Sequence, residues 1–281
     1  MGSMLHSRGM AVDCCCEEVN LSRPSTVASI HNDYLHAGTE IIETNTFGAN
    51  VFRLARFGLE DKLREISLAG VRIARRCVGE ISETHSLKAY VAGAIGPLGV
   101  RLVPFGAVSL DEAYAAFAEQ IRALAEGGPG VGADLLIVET MTSLAEAGVA
   151  IRAAQEAAPG LRIVVMMTVN EAGNCLDGAS AETAAARLTE LGAHAVGCNC
   201  SYGPASVLAA IERMRGATRL PLAAMANAGL PRVIDGHAIY DISPEEMAGF
   251  ARDAIAAGAS LIGGCCGTTP THTRAMRSAM N

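Results

Sequence analysis

Tryptophan is absent from this 281-residue chain, and aromatic residues make up only 4% of it. A core must therefore be filled by Ala, Val, Leu and Ile, and a cage of several rings around a quaternary ammonium is hard to assemble. Long hydrophobic runs are missing too. The longest uncharged apolar stretch, Ala89 to Val100, is short and broken by glycine and proline, which argues against a membrane-spanning helix. The N-terminal MGSMLHSRGM lacks the apolar segment of a signal peptide. There is no Lys/Arg-rich block and the net charge is −7, so neither nucleic acid nor an anionic membrane is expected as a partner. Charged residues are scarce at 18% against 50% hydrophobic, which excludes intrinsic disorder. A soluble cytoplasmic protein is the expectation. No repeat or linker divides the chain, and residues 1–281 are read as one domain.

Cysteine is plentiful. The nine cysteines are an odd number in a chain without an export signal, a poor basis for a disulfide framework. Neighbours such as Cys265 and Cys266 are also badly placed to pair. Consecutive Cα atoms lie about 3.8 Å apart, below the disulfide window of roughly 4.4–6.8 Å.

Short apolar runs alternate with amphipathic stretches along the chain. Strands are expected at Glu40–Thr44, Lys88–Ala94, Asp134–Glu139, Arg162–Thr168, His194–Asn199, Pro221–Ala226 and Ser260–Gly264. Each is continuous rather than alternating in hydrophobicity, as in parallel strands buried on both faces. Helices fit between them at Pro24–His36, Glu60–Arg76, Leu110–Glu126, Ser143–Ala157, Ser180–Leu191, Pro204–Arg215 and Pro244–Ala257, with a last one from about Thr269. Ser143 and Ser243 stand at N-cap positions, and Gly38, Gly192 and Gly258 at C-cap positions. The Gly-rich Glu126–Gly132 lies between helix and strand, the wrong order for a phosphate loop. The alternation predicts an α/β fold, a (β/α)8 TIM barrel, with its first strand missing or hidden in the irregular first 20 residues. A barrel short of one strand has two unpaired edges, so association into a homo-oligomer is a further expectation.

Active sites of such barrels lie at the C-terminal ends of the strands. At those ends the sequence places Thr44-Asn45-Thr46-Phe47, then Ile95-Gly96-Pro97, then Glu139. Further along come Cys198-Asn199-Cys200, Asn227-Ala228-Gly229 and Gly263-Gly264-Cys265-Cys266-Gly267. Cys200, Cys265 and Cys266 are read as metal ligands, with zinc first among soft or borderline ions. Gly263, Gly264 and Gly267 are read as leaving open space around them. Cys198, one pleat deeper, is read as packing, as are Cys14, Cys15 and Cys16. Cys77, at the end of a helix, and Cys175, in a loop, are given no role. Three thiolates leave zinc one open position, where a substrate thiol would be held as thiolate, a nucleophile at neutral pH. Alkyl transfer to a thiol is the expected chemistry.

These motifs resemble those of the homocysteine S-methyltransferase family. The likeness runs through IHNDYLHAGTEIIETNTFGAN, VAGAIGPLG, DLLIVETM, GCNCSYGP, MANAGLP and GGCCGTTP. NLSRPSTV and FRLARFGLEDK read like its methionine-synthase branch. The resemblance implies that Cys200, Cys265 and Cys266 hold Zn2+ and that L-homocysteine sulfur takes the open position. It implies that Asn227 fills that position when substrate is absent, and that Glu139 contacts the substrate amino group. Thr46, on the same rim, is counted with the substrate-binding residues. Family members begin with a strand ending Asp-Gly-Ala-Met-Gly-Thr, and Met1-Gly2-Ser3 matches only its tail, so the strand and its amino-binding aspartate are expected to be missing. No folate- or cobalamin-binding segment is expected within these residues.

Three functional readings stay open. The first is zinc-dependent methyl transfer to homocysteine, giving methionine. Its donor is an activated methyl compound: S-methylmethionine, a quaternary ammonium, or methylcobalamin on a partner protein. The second is a homocysteine-loading module, silent without a separate cobalamin protein. The third is a non-catalytic zinc-binding barrel.

Overall fold

The computed structural model describes residues 1–280 apart from 12, 86, 235 and 236. Seven strands form one parallel sheet: β1 (Ile41–Glu43), β2 (Tyr90–Ile95), β3 (Leu135–Met141), β4 (Arg162–Met167), β5 (Ala195–Cys200), β6 (Leu222–Ala226) and β9 (Ala259–Gly264). Their order in the sheet is their order in the chain, with the antiparallel pair β7 (Arg232–Ile234) and β8 (His237–Ile239) standing apart between β6 and β9. Helices α3 (Pro24–His36), α5 (Leu63–His85), α6 (Leu110–Ala125), α7 (Leu144–Ala157), α8 (Ala181–Glu190), α9 (Pro204–Arg215), α10 (Pro244–Ala256) and α11 (Pro270–Ala279) alternate with these strands. This is the α/β barrel the sequence predicts, with seven of eight strands.

The place of the eighth strand is taken by helix. Residues 2–7 form α1 and residues 19–22 form α2, and no strand precedes β1 among the described residues. Ser3 Oγ of α1 accepts from Gly267 N (3.3 Å), and the Tyr34 hydroxyl of α3 donates to Thr268 O. Arg277 of α11 meets Glu40 at 3.1 Å, just ahead of β1. Leu5 is fully buried in one cluster with Ile30, Ile42 and Val91. The seam between β1 and β9, expected to stand open, is therefore bridged by α1, α3 and α11.

Local chemistry explains most helix boundaries. Ser109/Glu112 and Ser243/Glu246 form reciprocal capping boxes on α6 and α10. Ser143 occupies the N-cap of α7 without capping it: Asp177 Oδ2 accepts from Leu144 N instead (2.6 Å). The helix expected to end at Arg76 runs on to His85, because Cys77, Val78 and Ile81 continue its buried face. Cys77 is thus mid-helix, buried, with its Sγ 3.6 Å from Ala28 O. The expectation also lacks the short α4 (Val51–Ala55), capped by Asn50.

Strand alternation sorts the side chains into two cores. Outward-facing Leu136, Val138, Val165, Met167, Val196, Cys198 and Ala224 pack against the helices. Inward-facing Ala92, Ile137, Val164, Met166, Ala195 and Ala223, with Ile41, Leu135, Met225 and Leu261, plug the barrel. Above that plug, toward the C-terminal ends, the same alternation places Glu43, Glu139 and Asn199.

Candidate metal centre

Cys200 closes β5, and Cys265 and Cys266 come directly after β9 across β6, so neighbouring strands bring together residues far apart in the chain. The three sulfurs lie within 4.8 Å of one another. Tetrahedral zinc with Zn–S bonds of about 2.3 Å would draw them to roughly 3.8 Å, a small closure. Cys200 and Cys265 are half-buried and Cys266 is exposed.

Backbone geometry aims these thiols. Regular alternation would send Cys200 to the helix side with Cys198, but Cys200 has φ +61° and Ser201 φ +56°. Such left-handed backbone at non-glycine residues is strained and is held only where surrounding contacts fix it. Here Ser201 Oγ accepts from Val169 N (3.1 Å) and donates to Asn199 O (3.2 Å). Asn227 ties the two cysteine segments together: its Nδ2 donates to Ser201 O (3.2 Å) and its Oδ1 accepts from Cys266 N (3.0 Å). Gly267 has φ +77°, and a Cβ there would lie 2.2 Å from the Tyr240 ring. Gly264 is similarly crowded by Thr268, at 2.2 Å, and Gly263 less closely by Met225, at 3.2 Å. The glycines expected to leave open space instead permit close packing behind the thiols.

The thiols share protons unevenly. Cys266 is driven down to about 3, chiefly by hydrogen bonds from Cys200 and Cys265, and so stands as the thiolate of the group. Cys265 is pushed up because it donates to Cys200 and Cys266 and is buried. Tyr240 is raised to about 12 by burial and by the charge of the cluster beside it. Three soft donors, one already ionised, form a donor set suited to zinc.

Next to the cysteines lie two inward-facing carboxyls, Glu139 buried and Glu43 half-buried. Glu139 sits where β3 bulges: Thr140 has φ +60°, and the register shifts between Val138 and Met141. The extra residue sends Met141 to the outer core and leaves Glu139 facing inward. Asn199, fully buried, accepts at Oδ1 from Thr140 N (2.8 Å). Its Nδ2 reaches Thr140 Oγ1 (2.8 Å), Glu139 Oε2 (3.3 Å) and Cys265 Sγ (3.7 Å). Glu43 joins this group from the end of β1, its carboxyl hydrogen-bonded to that of Glu139. Burial pushes both carboxyls up, and the charge of Glu43 raises Glu139 further. Glu43 is not among the candidates the sequence offers, because β1 is expected to run to Thr44 and only the residues from Thr44 onward are taken as its end, whereas the strand ends at Glu43. Its inward parity with Ile41 is the available signal.

The remaining candidates are placed differently. Thr46 is fully buried, and its hydroxyl donates to Ala94 O (2.8 Å) beside Thr44 Oγ1 (2.6 Å). Cys198 is fully buried, and burial lifts its thiol to about 12. Cys15 and Cys16 are likewise raised, to about 11 and about 12, first by burial and then by Glu17.

The sequence model of the homocysteine S-methyltransferase family matches residues 1–280. The chain belongs to that family. Methionine synthase of Mycobacterium leprae is 35% identical over 291 aligned positions, covering 100% of this chain and 24% of that protein. The Mycobacterium tuberculosis methionine synthase is 33% identical with the same coverage. The chain thus spans about a quarter of the length of these curated relatives. Among solved structures, the homocysteine methyltransferase MmuM of Escherichia coli is similar in its metallated form, with a TM-score of 0.83 and 25% identity. Its apo form gives 0.77 and 26%, and in both cases 99% of this chain and 93% of that chain are covered. No described helix is long and apolar enough to cross a membrane.

Proposed function

We propose that this chain transfers a methyl group to the thiol of L-homocysteine, forming methionine, with zinc held by Cys200, Cys265 and Cys266. The observation that carries the reading is the convergence of three cysteine sulfurs at the mouth of a barrel whose family is that of homocysteine S-methyltransferases. Zinc bound there supplies a Lewis acid that lowers the pKa of a thiol in its open position. The chain's own groups do the rest. Asn227 fixes the backbone of both cysteine segments, so the three donors keep their spacing. Glu139 is placed to receive the substrate ammonium, and Asn199 holds that carboxyl beside Cys265. In the reaction one S–C bond forms and the bond from the methyl carbon to its donor atom breaks, the electron pair leaving with the donor.

The donor is an activated methyl compound, since an ordinary ether or amine is too poor a leaving group. S-methylmethionine fits a chain that acts alone. The second reading, a homocysteine-loading module supplied from methylcobalamin on a separate protein, is supported by the 35% identity to a methionine synthase. One assay separates them. Zinc-loaded protein is given homocysteine with free S-methylmethionine, and then with methylcobalamin. Methionine formed from the first supports the stand-alone enzyme, and homocysteine bound without turnover of either donor supports the module. X-ray absorption should show one further sulfur at about 2.3 Å from zinc when homocysteine is added. An unchanged sulfur count would overturn both readings.

A further inference from the structure

β1 and β9 stand at the two ends of the parallel sheet and do not pair with each other. The strands β2 to β6 are buried almost throughout. In β9, by contrast, Ser260 and Gly264 are exposed and Leu261, Ile262 and Gly263 half-buried. Ile41 and Glu43 of β1 are half-buried as well. Hydrogen-bond parity accounts for this. Tyr90 N donates to Glu40 O (2.8 Å) and Thr44 N to Ala92 O (2.9 Å), so the even-numbered residues of β1 face β2. Cys265 N donates to Ala226 O (2.8 Å), so the odd-numbered residues at the end of β9 face β6. The backbone N–H and C=O groups of Ile41, Glu43, Ile262 and Gly264 therefore point into the space between β1 and β9, with no backbone partner there among the described residues.

That space has walls. Outside it, α3 and α11 lie side by side: a Cβ at Gly38, just after α3, would lie 3.2 Å from Arg277 of α11. At its upper end, Tyr34 and Ser3 reach across to Thr268 and Gly267. The strand layer between remains open. Its lining is apolar on both faces, since Ile41 and Leu261 belong to the plug and Ile262 to the helix-side core. One unpaired strand edge is already a template for another chain, and here two edges of the same direction flank the place of a single strand. We infer that this slot is a docking site for one extended peptide segment, matching the six-residue β9 in length and apolar throughout. It runs parallel to both edges, because β1 and β9 are each parallel to their neighbours. Its side chains enter the plug on one face and the helix-side core on the other, the condition that makes a parallel strand continuously apolar. A second copy of this chain is unsuited as the source. Its barrel strands are all paired, and β7 and β8 are three residues each and bonded to one another. The occupant is a segment of another polypeptide, held by main-chain hydrogen bonds on both sides.

The test follows amide hydrogen exchange of the full chain by NMR. The probe is the peptide acetyl-Lys-Val-Ile-Val-Leu-Ile-Val-Lys-amide, its terminal lysines keeping it soluble. A control peptide carries Pro at the two middle positions, where a strand paired on both sides does not accept it. In the free protein the amides of Ile41, Glu43, Ile262 and Gly264 should exchange quickly, while Ile42 and Gly263, bonded into the sheet, are protected. With the probe at ten times its dissociation constant, those four amides should slow about tenfold and the protein should melt at a higher temperature. The control should do neither. No slowing with the probe, or equal slowing with the control, would overturn the proposal. Protection of the four amides in the free monomer would mean that the chain's own residues fill the slot, and protection in a dimer that a second copy does. Either result would overturn docking of a separate peptide.

Discussion

The lower and upper halves of the barrel interior are built from the same strands and the same inward-facing alternation, yet they have opposite character. Below, Ala92, Ile137, Val164, Met166, Ala195 and Ala223 form a dry apolar plug. Above, Glu43, Glu139 and Asn199 form a polar ring beside the three thiols. The plug obeys strand regularity. The ring departs from it, with left-handed backbone at Thr140, Cys200 and Ser201 and a register shift in β3. Buried carboxyls and bent strands weaken a fold, and proteins keep such features where they recognise or react. On the proposed function, stability resides in the plug, and recognition and chemistry in the ring.

Removing ring and plug residues separately should break that division if it is wrong. Cys265→Ala or Cys266→Ala should abolish most metal binding, given that thiolate zinc sites in small domains contribute about 10–16 kcal/mol. Elemental analysis after dialysis checks this, and full zinc in a Cys265→Ala/Cys266→Ala double variant would end the assignment. Changing Cys14, Cys15 or Cys16 to Ala should leave zinc content intact. In the plug, Met166→Ala should lower unfolding free energy by about 2–5 kcal/mol in a urea titration, with zinc stoichiometry unaltered. Metal loss in that folded variant would mean that the two halves are not separable.

Glu139→Gln should weaken homocysteine binding through loss of a charged hydrogen bond of about 1.5–3 kcal/mol, with zinc retained. The smallest effect sharpens the comparison through pH. Both carboxyls are raised in the folded protein by burial, so the folded state holds protons that the unfolded chain releases near pH 4.3 or so. Their contribution to stability is present below that unfolded value and is lost as pH rises through the raised one. Metal-free wild type should therefore lose stability relative to Glu43→Gln as pH is raised above about 4.3, and the variant should melt higher at neutral pH. Parallel melting curves across that range would show that the pair is not strained.

The sequence by itself determined the α/β alternation, the caps Ser243 and Gly38, and the position of every barrel strand to within a few residues, because apolar period and capping chemistry are local properties. It also determined that Cys200, Cys265 and Cys266 stand at strand ends, and a barrel directs strand ends to one face. Only the tertiary structure decided the rest. Glu43 reads in sequence as an ordinary strand residue, and it joins Glu139 at the polar end of the interior because β1 and β3 flank β2 and both side chains face inward. The left-handed turn at Cys200 has no glycine to announce it; Ser201, Asn227 and Val169 hold it from three separate segments. Within the first 20 residues, irregular by composition, α1 becomes a bridge between β1 and β9 because Leu5 finds its apolar partners on α3, β1 and β2. A pattern along the chain can specify a strand, but the contacts that bend it come from elsewhere in the fold.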